Sequence, residues 1–107
     1  MKTRIVSDSA ANLYALEGVD FISVPLKIIT EEREYVDRPG LNIAEMVDAL
    51  HRTKGPSRTS CPNTYEWLEA FEGADAIFAV TISGALSGSH AAAMHAREEY
   101  LLSLIHI

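Results

Sequence analysis

Apolar residues along this chain gather into short runs separated by polar breaks, and the spacing inside each run predicts its element. In "TRIVSDSAANL" the run Arg4 to Ser7 is brief and stops at Asp8 and Ser9, as a buried strand of an α/β protein does. Residues 12–17, "NLYALE", allow one or two helical turns. Gly18 would close them, since glycine takes the left-handed conformation at little cost. "DFISVPL" predicts a second strand that ends at Pro25 or lies near a sheet edge, because proline donates no ladder hydrogen bond. "LKIITEEREYVD" reads as a hairpin. Leu26, Ile28 and the pair Tyr35/Val36 flank a charged tip at Glu31 and Glu32, and without an Asn-Gly pair the turn type stays open.

Periodicity then changes. Apolar residues at 43, 46, 47 and 50 share one helix face, with Asn42 as a good N-cap. "RTKGPSRTSCPN" reads as a polar loop. Asn63 or Thr64 caps the next helix, "TYEWLEAF", where Tyr65, Leu68 and Phe71 are expected to share a core-packing face with Trp67, and Gly73 ends it. "AIFAVT" is a continuous apolar strand, expected to be buried on both faces, and a helix runs from about Ser87 towards Tyr100. There are no repeats and no linker. Strands alternating with helices predict an α/β fold, a mostly parallel sheet with helices on both faces. Such sheets bind ligands outside the carboxyl ends of their strands. Three hydroxyl-rich loops, "SDSAAN", "SRTSCPN" and "TISGALSGS", are expected to meet on one such rim.

Composition narrows the classes. The 107 residues suit one modest domain. A net charge of −6, with Arg33, Arg38, Arg52, Lys54 and Arg58 scattered among acids, argues against a nucleic-acid partner. The single cysteine, Cys61, excludes a disulfide framework and suggests a reducing compartment. The opening residues lack the apolar core of about 7–15 residues that a signal peptide needs. No run approaches the ~20 apolar residues of a membrane span. A cytoplasmic protein without a membrane span is the expectation.

The chemistry concentrates in "TISGALSGS". Gly84 and Gly88 let backbone amides come close to a ligand, and the first amides of the following helix have no partner within it. Together these suit an anion, either a phosphate or a carboxylate. Ser87 is read with equal weight as a plain helix N-cap. Sharper motifs are missing: no lysine follows the glycines as in a P-loop, and there is no G-x-G-x-x-G and no G-x-S-x-G. His90 and His95 stand five apart, ~140° around a helix axis, and cannot share a metal. Asp8 is read as the cap of the turn after its strand in preference to a catalytic acid. A nucleophilic Cys61 would need a nearby base that the sequence does not identify. No catalytic residue, metal or cofactor is expected.

Four stretches carry a family likeness. "IVSDSAANL" resembles the opening I-V-T-D-S-T-A-D-L of the DegV family through Asp8, Ser9, Ala10 and Leu13. "ISVPLKI" is similar to its V-V-P-L strand, "RTSCPN" to its K-T-S-Q-P-S loop through Thr59, Ser60 and Pro62, and "TISGALSGS" to its S-S-x-L-S-G-T turn through Ser83, Leu86, Ser87 and Gly88. The likeness covers residues 4 to about 100, in register. It departs at Cys61, Asn63, Gly84 and Ser89, where the family has glutamine, serine, serine and threonine.

The resemblance implies a fold and a function. Family members hold one long-chain fatty acid between two α/β lobes, the tail in an apolar tunnel and the carboxylate on hydroxyls. In several bacteria they present the acid to a fatty-acid kinase, as carriers and not as complete enzymes. Carried over by position, Thr59 and Ser87 would bind the carboxylate, and Ser60, Ser83, Gly84 and Gly88 would line the pocket. Residues 1–100 would form the N-terminal lobe, with the C-terminal lobe absent. The tail 101–107, "LLSLIHI", resembles translated sequencing-adapter read-through and is expected to be non-native in a truncated fragment. Two rival readings remain. One is a small α/β enzyme that binds a phosphorylated substrate at the Ser/Gly loop. The other is a structural domain whose hydroxyls serve only as caps.

Overall fold

The computed structural model describes residues 2–82 and 88–105. Among them β1 (Thr3–Asp8), β2 (Phe21–Val24) and β6 (Ala76–Val80) form a parallel sheet in the order β2-β1-β6. A second sheet, antiparallel, has the order β4-β3-β5 and is built from β3 (Lys27–Ile29), β4 (Glu34–Val36) and β5 (Arg58–Ser60). Three helices complete the described chain: α1 (Ile43–Arg52), α2 (Thr64–Phe71) and α3 (Ser89–Ile105). The α/β class holds, and the hairpin forms a sheet of its own beside the parallel one.

One core ties the parallel sheet to its helices. Val6 of β1 and Val24 of β2 pack with Trp67, Ala70 and Phe71 of α2 and with Ala93 and Ala96 of α3. The Phe71 ring lies 6.2 Å from Trp67 and meets Tyr100 edge-on at 6.1 Å, an arrangement that adds to simple burial. α2 and α3 therefore cover the same face of the sheet. Arg4, the second residue of β1 and only 6% exposed, is held by three acceptors. Its guanidinium donates to the carbonyls of Ala70 (2.8 Å) and Glu72 (2.7 Å) and pairs with Asp20 at 2.9 Å. It thus satisfies carbonyls that the last turn of α2 leaves unpaired.

Capping follows the sequence. Asn42 Oδ1 accepts the Glu45 amide at 3.1 Å, and Asn63 with Glu66 forms a reciprocal capping box. At the hairpin tip Thr30 replaces an Asn-Gly turn. Its hydroxyl accepts the Glu32 and Arg33 amides and donates to the Arg33 carbonyl.

Several expectations are corrected. Residues 12–17 form no helix. A 3-10 turn at Ser9–Ala11 comes first, closed by Asn12 with φ 56°, and the chain then runs open to a turn at Leu16–Val19 where Gly18 has φ 75°. Asp8 captures the Ala10 amide and the left-handed Asn12 breaks any continuation; a six-residue helix would be marginal in any case. The loop "RTKGPSRTSCPN" contains β5, whose Thr59 stands opposite Ile28. Tyr65 is 69% exposed, because Trp67, Ala70 and Phe71 form the buried stripe of α2. On α1 only Met46 is buried, and Ile43 and Val47 stay exposed. Finally, β6 is not buried on both faces. It is the outer strand of its sheet as described, and its Phe78 and Val80 are 65% and 50% exposed. Among the described residues, no helix is long and apolar enough to cross a membrane.

Candidate functional site

The carboxyl ends of the three parallel strands finish side by side, with Asp8 opposite Val24 and Ser7 opposite Val80. Side chains then tie the ends together. Ser9 Oγ accepts the Leu26 amide at 2.9 Å, fastening the end of β2 to the end of β1. Asp8 does more. Oδ1 accepts the Ala10 amide at 3.3 Å, while Oδ2 accepts the Ile82 amide at 3.0 Å and the Ser89 hydroxyl at 2.9 Å. Asp8 is 1% exposed and Ser89 fully buried. A carboxylate buried so deeply is costly unless its lone pairs are filled. Here three neutral donors engage them.

The third loop reaches the same place. A β-carbon on Gly88 would stand 3.3 Å from Cys61 Sγ, so the segment after β5 touches the residue just before α3. A side chain there would need the thiol to give way by a few tenths of an ångström. The Gly88 carbonyl accepts the Ala92 amide at 3.0 Å, the first turn of α3. Thus the loops "SDSAAN", "SRTSCPN" and "TISGALSGS" all have residues at one rim, at the amino end of a 17-residue helix.

The sequence-predicted residues are placed as follows. Thr59 is exposed on β5. Ser60 is half-buried, its hydroxyl directed at the Cys61 carbonyl at 3.4 Å. Gly88 is exposed beside Cys61. Ser83, Gly84 and Ser87 lie outside the described residues. His90 Nδ1 approaches the Thr81 hydroxyl at 3.4 Å on the same rim, and His95 is exposed further along α3. From this rim an open, mainly apolar groove of about 470 Å³ runs between β6 and α3, past Ile77, Val80, Met94 and Leu101.

Asp8 caps the turn, as its sequence position indicates. Its bonds to Ile82 and Ser89 were not legible, because 74 and 81 residues of chain separate the partners. Only the parallel pairing of β1 with β6 brings them together. The available signal was indirect: an acid at one strand end, and a serine after a glycine at the next helix start.

The sequence matches a known protein family over nearly its whole length. A model described as "Uncharacterised protein, DegV family" matches residues 2–107. The chain belongs to the DegV family. A DegV domain-containing protein from Streptococcus gordonii is 40% identical, the match covering 94% of this chain and 37% of the relative. Among solved structures, a DegV family protein from Eubacterium eligens loaded with heptadecanoic acid superposes with a TM-score of 0.91 at 44% identity, covering 94% of this chain and 37% of that one. The Streptococcus pneumoniae Fatty Acid Kinase (Fak) B3 protein loaded with linoleic acid gives 0.92 at 38% identity, covering 96% and 38%. The chain thus spans well under half the length of these DegV relatives.

Proposed function

We propose that this DegV chain carries the head-group end of a long-chain fatty-acid site. The hydroxyls of Thr59 and Ser87 and the first amides of α3 grip the carboxylate, and Ser60, Ser83, Gly84 and Gly88 line the pocket. The chemistry is adequate without a fixed cation. Hydrogen bonds to a charged group contribute about 1.5–3 kcal/mol each, and a helix amino end favours an anion. Each buried methylene of the tail adds ~0.8 kcal/mol, so the tail supplies most of the affinity. The tunnel's opposing wall belongs, in this reading, to the part of the DegV fold that the relatives have beyond residues 1–100.

The protein acts as a carrier that presents the acid to a fatty-acid kinase, without a metal or cofactor of its own, and works in the cytoplasm. The observation that carries this reading is the meeting of three hydroxyl loops at one rim, in a chain whose fold superposes on two proteins loaded with fatty acids. Mass spectrometry of the full-length gene product, purified under native conditions, tests it. A co-purifying long-chain acid is expected. A pocket that stays empty even after oleate is added contradicts it.

A further inference from the structure

Asp8 is 1% exposed, and both of its carboxylate oxygens accept protein donors among the described residues. A buried acid that contributes no ion pair among the described residues calls for an explanation. Its partners supply one. Ile82 immediately precedes residues 83–88 and Ser89 immediately follows them, and one oxygen, Oδ2, holds both. The other oxygen holds the Ala10 amide, so the clasp is fixed to the end of β1, the central strand of the sheet. Ser89 is also the first residue of α3, so the bond fixes where the helix begins.

We infer that Asp8 is a positioning residue, a buried clasp that fixes Ile82 and Ser89, the residues on either side of 83–88, to the end of β1. This rests on the fatty-acid reading for its functional meaning, and on geometry alone for the clasp. An acid suits the post. One carboxylate oxygen accepts two donors at once, and both bonds are charge-assisted. Asparagine can turn its single oxygen towards Ile82 and Ser89 and keep both bonds in weaker, neutral form, at the cost of the Ala10 bond. Alanine keeps none.

The test uses the full-length gene product as wild type, Asp8→Asn, Asp8→Ala and Ser89→Ala. The last removes one arm of the clasp without touching β1 and serves if Asp8→Ala fails to fold. Amide hydrogen exchange across residues 82–89 is the first readout. Exchange is expected to rise about tenfold or more in Asp8→Ala and Ser89→Ala, the worth of one bond to a charged group, and less in Asp8→Asn, while the Trp67 region stays protected. Affinity for oleate and for methyl oleate is the second. The acid should weaken about tenfold in the same order and the ester little, since only the acid uses the loop at full strength.

Coupling to Ser87→Ala separates positioning from plain stability. Once the clasp is lost, removing the Ser87 hydroxyl should cost little more, whereas independent effects would add. Unchanged exchange at residues 82–89 in all three variants overturns the clasp. Faster exchange with unchanged oleate affinity overturns its positioning role. A wild type that binds no oleate contradicts the fatty-acid reading, and the exchange measurement still decides the clasp.

Discussion

Tyr14 lies in the stretch that was expected to be helical and instead runs open, and its hydroxyl donates to Asp37 Oδ1 at 2.7 Å. The bond ties the segment after β1 to the end of the hairpin. Accepting that proton, the Asp37 carboxylate raises the phenol above its ordinary value of 10.0; partial burial and the repulsion between two anions act the same way. The sign follows. A group whose folded-state pKa is raised contributes fully below its unfolded value and loses that contribution as pH climbs through the folded value. Wild type should therefore exceed Tyr14→Phe in stability by a constant margin up to about pH 10, and the margin should shrink above it. Urea melts across the alkaline range check this; a margin that stays flat throughout would remove the bond from the account. At this scale the sequence exposed local roles well. Asp8 as a cap and Asn42 and Asn63 as N-caps all depend on amides two or three residues away. It did not expose Tyr14 with Asp37, or Asp8 with Ser89, because those partners meet only through the fold.

Among the elements, those with their own periodicity were legible and those supplied by a neighbour were not. α2 was readable from its apolar spacing and cap, although its buried stripe runs through Trp67, Ala70 and Phe71 and leaves Tyr65 outside. β5 was not readable: "RTS" has no apolar alternation and is a strand only because the edge of β3 offers it a ladder. β6 was readable as a strand but not in its surroundings, since a continuous apolar run does not reveal that it is outermost in the described sheet. The capping box on α2 yields a quantitative expectation. Asn63 Oδ1 accepts the Glu66 amide at 2.8 Å and Glu66 returns a bond to the Asn63 amide. Asn63→Ala should lower unfolding stability by about 1 kcal/mol, read from the midpoint of a urea melt. Because α2 carries Trp67 and Phe71 into the core, the loss should be global, and a change confined to local fraying would contradict that placement.

For the whole molecule, the strand–helix alternation was enough to predict the α/β class and a meeting of loops at the strand ends. What alternation could not supply was the split into two sheets or the side of the parallel sheet that α2 and α3 cover. The rim depends on that arrangement, since β1, β2 and β6 must finish together before Asp8, Ser9 and the Cys61–Gly88 contact can join their loops. The central claim is that hydroxyls from two of these loops, Thr59 and Ser87, hold a carboxylate between them. Titration of oleate into the full-length gene product and its Thr59→Ala, Ser87→Ala and doubly substituted forms tests it most directly. Each single change should weaken oleate about tenfold or more, with the melting temperature little altered, as loss of one bond to a charged head group requires. Oleate affinity that is the same in all four proteins would contradict it.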